Sequence, residues 1–583
     1  MNAPSQPAAA TTDASAVRTT RERRLLGEDQ IFLLLSILIG VLAGLAVVCF
    51  RMSIDVVRWA FFGSGLTPPH RRIIMVPGLV GLVVAFLVIR FFPRVRGSGV
   101  NQTKSALYIY DGYIPGNTII GKFITSALAI GSGQSLGPED PSLQVGAGLA
   151  SLIGRRLHLS RENLRLIAPV GAAAGLAAAF NTPIAAVLFV IEEVIGRWSA
   201  GVLGAVVLSA VSSVVVERWF LGSEPLFRAP GYQLESPGEL LAYALLGVVG
   251  GVAAIIFVKS IRVLRPRLRA LPGWVQYFLP ALAGVLIGLI GLHFPQIMGA
   301  GYDYMDQAMH DQYTWEVLGI LAGLKILATV LSFSSGTPGG LFAPTLFIGA
   351  MVGGAVGGVE RLLFPHFTGP LGAYALVGMG ALFAGILRAP MTSVFLVLEI
   401  SGNYAIILPV IISNALAYLI SRSLQRTPIF DFLSRQDGLD LPSLEEDREL
   451  AVLRVEDAMR APTPHIAVRL QALPPPEAIE SFPGDFFLVQ GRSGEWGGMN
   501  KTDLLRLAAN PATADGSHPQ PLPQLHPDHS LDVAMRQMGE KPLLPVVHRA
   551  DLTKLVGVIS LDDILETYRK RGPALHELAE PAD

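Results

Sequence analysis

The chain has 583 residues, of which 51% are hydrophobic and only 16% charged, with a net charge of −1 and a single cysteine, Cys49. Soluble domains carry about 25% charged residues, so this composition excludes a string of ordinary soluble domains and points to a polytopic membrane protein. The near-zero charge argues against nucleic acid or another polyanion as partner, and one cysteine excludes an intramolecular disulfide framework and any cysteine-built metal cluster.

Residues 1–25 are rich in Ala, Ser, Thr and Pro and close on Arg21, Arg23 and Arg24. They read as a disordered tail, kept on the cytoplasmic side by those arginines while the first span, 31–50, inserts. Apolar stretches follow at about 73–92, 117–136, 142–154, 165–191, 200–216, 239–258, 276–293, 315–333, 341–359, 371–386 and 390–420. Several are too short, or too interrupted by Gly and Pro, to cross a hydrocarbon core of roughly 30 Å as straight helices. Half-spanning and broken helices are therefore expected, with irregular backbone buried in protein or lining a cavity. Beyond the membrane region, 26–425, a linker over 426–449 leads to a charged tail at 450–583, which reads as soluble α/β structure in two parts, 450–508 and 525–572, joined by a Pro-rich stretch near 509–528. Its short strands are expected at 543–547 and 555–559.

The membrane region repeats itself, with halves at about 30–222 and 238–424. Gly97-Ser98-Gly99 falls on Gly299-Ala300-Gly301 at an offset of 202. At 203, Lys122 meets Lys325, Gly133 meets Gly336, Pro141 meets Pro344 and Gly146 meets Gly349; at 207, Pro183 meets Pro390 and Glu192 meets Glu399. Ordered blocks at nearly one offset indicate duplicated halves, which in transporters enclose a substrate site at their interface. The offset leaves open whether the halves are parallel or inverted.

Residues that both halves share are read as scaffold, so Glu192 and Glu399 are expected to be satisfied at helix ends. Two acids break the repeat: Glu139 faces Phe342 and Glu193 faces Ile400. An ionised acid at mid-membrane costs about 2.5–3.5 kcal/mol, so such residues are candidates for a gate or proton relay. A solvated helix end is the plainer reading of Glu193. Ser98, between two glycines, offers a hydroxyl to an anion, although an ordinary turn also explains GSG. Leu341 and Phe342, after Gly339-Gly340, open a helix whose backbone N–H groups suit an anion; core packing is the alternative for Phe342. Tyr404, in SGNYAIILP, reads equally as an interface-belt tyrosine.

In order along the chain, GSG at 97–99, GPEDP at 137–141, GGLFAP at 339–344 and Tyr404 resemble the motifs of the CLC family of chloride channels and proton-coupled anion exchangers. The tail resembles the paired CBS domains attached to many members. The resemblance implies an all-α polytopic membrane protein with a CLC-like inverted repeat, a cytoplasmic α/β CBS pair and both termini cytoplasmic, acting as a homodimer in a bacterial cell membrane. It further implies transport of chloride or another small anion against protons, with no enzyme activity, required cofactor or metal. Ser98 and Tyr404 would offer hydroxyls and Leu341 and Phe342 backbone N–H groups to the anion. Glu139 would be the gate, entering the anion's place when ionised and leaving it when protonated, and Glu193 the internal proton-transfer acid that tips the reading toward exchange rather than a passive channel. Ser560 and Asp563, in GVISLDD, stand where such tails contact an adenine nucleotide; Asn500 and Asp503 hold the related place in the first part.

The departures from the family pattern are specific. Pro138 and Asp140 replace the Arg and Gly of GREGP, Asn101 replaces a Pro, and Lys104 stands where exchangers often have an acid. Asp140 is expected to disfavour ionised Glu139 unless it points elsewhere.

Overall fold

The computed structural model describes residues 28–63, 70–157, 159–196, 200–227, 232, 237–364, 369–439, 441, 453–510, 519–539 and 541–577. The N-terminal tail, most of 440–449 and part of the Pro-rich stretch lie outside these. The chain divides into two compact units, one holding Met1–Gly385 and Ala389–Ala417, the other Ile386–Arg388 and Tyr418–Asp583.

The first half of the membrane region comprises α1 (Glu28–Phe62), α2 (His70–Arg90), α3 (Gly99–Tyr108), α4 (Gly116–Gly131), α5 (Glu139–Arg156), α6 (Arg161–Phe180), α7 (Pro183–Phe189) and α8 (Ala200–Leu221). The second half runs through α9 (Glu239–Arg269), the single turn α10 (Gly273–Gln276), α11 (Leu279–Gly291), α12 (Tyr302–Met309), α13 (Trp315–Ser334), α14 (Phe342–Leu363), α15 (Leu371–Leu387), α16 (Pro390–Ser401) and α17 (Ile407–Leu424). Apart from α10, the helices of the two halves pair off in order, with differing lengths. Among the described residues eight helical stretches are long and apolar enough to cross a membrane. At 10 residues, α3 rises only about 15 Å and cannot span.

Two breaks expected from sequence are visible. The 165–191 stretch divides at Asn181, whose φ of 58° ends α6, and Pro183 starts α7 at its first turn. The 390–420 stretch divides at Gly402, with φ 65°. Small residues let inner helices touch: a Cβ on Gly175 of α6 would overlap Ser142 of α5, and in the second half a Cβ on Gly349 of α14 would overlap Gly378 of α15. Such close backbone approach is how helices associate where lipid supplies no hydrophobic drive between them.

The shared glutamates take up each other's helix ends. Glu192 accepts from the N–H groups of Met391 (3.2 Å) and Thr392 (2.8 Å) and from the Thr392 hydroxyl (2.6 Å), at the head of α16. Glu399 accepts from the N–H groups of Ile184 (3.0 Å) and Ala185 (2.8 Å), at the head of α7. Both acids therefore satisfy orphan donors of a helix in the other half.

In the second unit, Ile429–Gln436 forms a helix α18 with Ile429, Phe430 and Leu433 buried, so the start of the expected linker is ordered structure. Leu433 lies four residues after Ile429 and three after Phe430, so each of these falls on the same face as it. The tail then builds a four-stranded sheet from β1 (Ala467–Arg469), β2 (Phe486–Gln490), β3 (Trp496–Asn500) and β4 (Gln520–Pro521), in that order, with β1–β2 parallel and the remaining pairs antiparallel. A second sheet pairs β5 (Leu544–His548) with β6 (Asp551–Ile559) antiparallel, near the two strands expected. Leu488, Trp496, Leu525, Val546 and Val558 share one buried core that joins both sheets.

Candidate functional site

The Gly-rich loops of the two halves meet directly. Gly137 and Gly340 exchange both backbone hydrogen bonds, at 2.9 and 2.8 Å. A Cβ on Gly340 would stand 2.8 Å from Asp140 Cβ, and one on Gly137 would run into the Glu139 carboxylate. This bridge sets the N-termini of α5 and α14 against one another, so two helix ends with their first-turn N–H groups and positive dipole ends converge. Ser135, just before it, binds Ser332 and Thr329 of α13, at 3.1 and 3.0 Å.

Glu139 is the first residue of α5 and is fully buried. Its Oε2 accepts from the Ala343 N–H in the first turn of α14, at 3.3 Å, and its Oε1 accepts from the Tyr302 hydroxyl at the start of α12. The carboxylate thus occupies a place where an anion would be bound by a helix N-terminus. The donor used is Ala343, the residue after the expected Leu341 and Phe342. Leu341 caps α14, and the Phe342 ring packs against Phe180, Phe189 and Phe383, so its side chain forms core as well.

Asp140 turns the other way, to the head of α3. Ser98 Oγ donates to its Oδ1 at 2.8 Å, the Gly99 N–H reaches both oxygens at 2.8 and 2.9 Å, the Val100 N–H lies 3.3 Å off, and Lys122 Nζ stands 3.6 Å away. The anion-binding hydroxyl expected at Ser98 is therefore engaged by a carboxylate of the chain itself. Lys122 also donates to Gly97 O at 3.0 Å, as Lys325 does to Gly299 O at 2.8 Å, in keeping with a scaffold role for both.

Glu193 lies in a π-helical turn, Val190–Ile195, that continues α7, and it is buried rather than solvated. Its Oε1 sits 2.6 Å from Lys104 Nζ on α3. The Lys104 departure thus gives Glu193 a cationic partner. Of the two readings of Tyr404, the interface-belt tyrosine fits better than the anion-binding hydroxyl. It opens a single 3-10 turn and is 75% exposed, so its ring faces outward and its hydroxyl is not among the groups gathered around Ser98 and Glu139.

Repeat-related positions line two recesses, each bordered by residues of both halves. One, a cleft of about 230 Å³, is bordered by Arg51 and Arg58 of α1, Gly133, Pro138, Gly299 and Tyr302, which brings it to the neighbours of Glu139. The other, about 20 Å³, is bordered by Arg96, Gly97, Gly336 and, from α9, Arg265 and Arg269, beside Ser98 in sequence. Gly133 and Gly336 are counterparts, as are Gly97 and Gly299, so the two recesses exchange repeat-related glycines, and arginines border both.

In the tail, Ser560 and Asp563 engage each other: Asp563 Oδ2 accepts from Ser560 N–H (2.8 Å) and Oγ (2.6 Å), and Ser560 Oγ accepts from Asp563 N–H (3.3 Å). This is a capping box at the head of the helix Leu561–Glu577. Asp563 Oδ1 also pairs with Arg460 at 2.8 Å. Asn500 is the cap residue of the helix Lys501–Ala509, and Asp503 pairs with Arg506 at 3.7 Å. Among the described residues no group of three or more His, Cys, Asp or Glu is placed to hold a metal.

Sequence reasoning passed over Tyr302 and did not count Asp140 among the acids that break the repeat, though the signal that found Glu139 applies to both. At the offsets of the repeat Tyr302 faces Val100 and Asp140 faces Ala343.

Comparison with known proteins gives the family. Residues 80–422 match the family model described as voltage gated chloride channel, and residues 519–570 match the CBS domain. The H(+)/Cl(-) exchange transporter ClcA of Vibrio campbellii is 34% identical over 415 residues, covering 69% of this chain and 88% of that protein. ClcA of Vibrio cholerae is 33% identical over 426 residues, with the same coverage. A solved slow cyanobacterial Cl-/H+ antiporter superposes with a TM-score of 0.65 at 26% identity, covering 70% of this chain and 98% of that one. A eukaryotic CLC transporter, 21% identical with a TM-score of 0.61, shares the fold over 91% of this chain and 97% of its own. With more than half of its length matched, the chain is an integral, multi-pass membrane protein that belongs to the voltage gated chloride channel family, the CLC family, and carries a C-terminal CBS domain.

Proposed function

We propose that the protein is a proton-coupled antiporter of chloride or a similar small anion, gated by Glu139. One observation carries the reading: the buried Glu139 carboxylate takes up the N–H donor that the head of α14 offers, between the two Gly-rich loops. Protonated, Glu139 gives up its claim on the Ala343 N–H and leaves that place to an anion; ionised again, it returns. Each cycle moves one proton and opens the path once. Ser98 and the first-turn N–H groups of α14, at Leu341 and Phe342, line the anion route, and Glu193 passes protons from the other side. The relatives named as exchange transporters support the same assignment. In this reading the protein is a homodimer with both termini cytoplasmic.

The alternative, a passive chloride channel of the same fold, draws on the Lys104–Glu193 pair, since the Glu193 carboxylate is already engaged by a cation 2.6 Å away. Reconstitution separates the two. Under an imposed chloride gradient the antiporter drives protons uphill, Glu193→Gln stops proton movement while chloride still flows, and Glu139→Gln leaves chloride flux that no longer responds to pH. Chloride flux without any proton movement in the unmodified protein would leave the channel.

A further inference from the structure

We infer that Asp140 is a tethered anion: its carboxylate fills the anion site built by Ser98 and the head of α3, and a transported anion must displace it there, so that two consecutive carboxylates gate the path in series. The inference rests on the proposed anion route and adds a residue to it.

The ligand set is that of a small anion. A buried hydroxyl, two N–H groups from the first turn of a helix and a buried ammonium converge on one carboxylate, at 2.8 Å from Ser98 Oγ, 2.8–3.3 Å from the backbone of Gly99 and Val100, and 3.6 Å from Lys122 Nζ. Helix N-termini with added cationic and hydroxyl donors take up anions generally. Asp140 is 2% exposed and Ser98 4%, so no solvent ion shares the cup while the carboxylate is in it.

The second half serves as an internal control for a purely structural role. Lys325 occupies the place of Lys122, makes the same two kinds of backbone contact, to Ile297 O at 3.0 Å and Gly299 O at 2.8 Å, and lies 4.6 Å from the Phe347 ring centre. The residue facing Asp140 in the repeat is Ala343, so the same lysine scaffold is built there without an acid at that position. The scaffold does not require Asp140; what Asp140 adds is a negative charge in a site shaped for one. Consecutive residues at the head of α5 are turned about 100° apart, which sends Glu139 to α14 and Asp140 to α3. One short turn thereby places a carboxylate at each of two neighbouring helix ends.

The test uses the purified full-length protein, with chloride binding measured by calorimetry and chloride efflux measured from vesicles. Asp140→Asn keeps an acceptor for Ser98 and the α3 N–H groups but removes the charge, and Asp140→Gly removes the side chain. Both are expected to bind chloride at least tenfold more tightly than the unmodified protein and to release it faster from vesicles, with Asp140→Gly the stronger. Adding Ser98→Ala to Asp140→Asn is expected to cancel the gain. Chloride binding in Asp140→Asn that is equal to or weaker than in the unmodified protein overturns the inference and leaves Asp140 as a clasp between α3 and α5; this variant decides the matter even if Asp140→Gly does not fold. Proton movement in the same vesicles reports separately on antiport, since a passive channel would still show the gain in chloride binding.

Discussion

Lys104 Nζ and Glu193 Oε1 stand 2.6 Å apart, with the two side chains only 2% and 9% exposed. Removing one member of a buried pair costs about 3–5 kcal/mol, whereas replacing both by apolar groups is often neutral. Lys104→Met alone is therefore expected to lower the unfolding temperature in detergent sharply, and Lys104→Met with Glu193→Leu to restore most of it. Equal losses in the single and double variants would show that the pair is not coupled.

Gly137→Ala and Gly340→Ala test the bridge between the loops. Neither glycine has a left-handed backbone, so the penalty is steric: the new methyl at Gly137 meets the Glu139 carboxylate and Ala343, and that at Gly340 meets Asp140 and Gly137. Overpacking of this kind costs about 1–3 kcal/mol. Each variant is expected to remain folded by circular dichroism yet lose at least tenfold in chloride efflux, because the two helix ends are pushed apart.

The exchanged caps predict a graded loss. Glu192 takes three donors at the head of α16 and Glu399 two at the head of α7. Losing a helix cap costs about 0.5–2 kcal/mol. Glu192→Ala should destabilise more than Glu399→Ala in thermal unfolding, and neither should change the ratio of protons to chloride moved.

Ser560→Ala and Asp563→Ala each open the capping box and should lower the stability of the tail by about 1 kcal/mol in the absence of any nucleotide. Measuring the same unfolding with AMP or ATP present checks for a ligand role. A nucleotide-induced rise that vanishes in Asp563→Asn would add ligand binding to the capping that these residues already perform.

Much of the fold is legible in the repeat, since matched residues proved to be matched contacts: Lys122 and Lys325 each hold a glycine carbonyl, and Glu192 and Glu399 each hold a helix end. The broken acids were legible as well, because a buried charge on one side of a duplicated frame has no scaffold reason to be there. What each acid touches was not. Glu139 and Asp140 are adjacent in sequence, but whether they share a neighbour depends on where α5 begins, and a first turn that starts at Glu139 sends them to different helices. Lys104 and Glu193 are 89 positions apart and meet only because α3 packs on the π-helical turn after α7. The two readings of Tyr404 could not be separated for a related reason: a tyrosine opening a one-turn helix points wherever that turn faces, and here it faces outward.

The Glu399 cap on α7 also bears on how the protein is made. The N–H groups of Ile184 and Ala185 find their acceptor in a residue more than 200 positions later. As the chain emerges from the ribosome, the first half waits with that helix end unclosed until the second half is nearly complete. Neither half is a finished product, and if the gene were cut between residues 222 and 238, each fragment would depend on the other for its last hydrogen bonds.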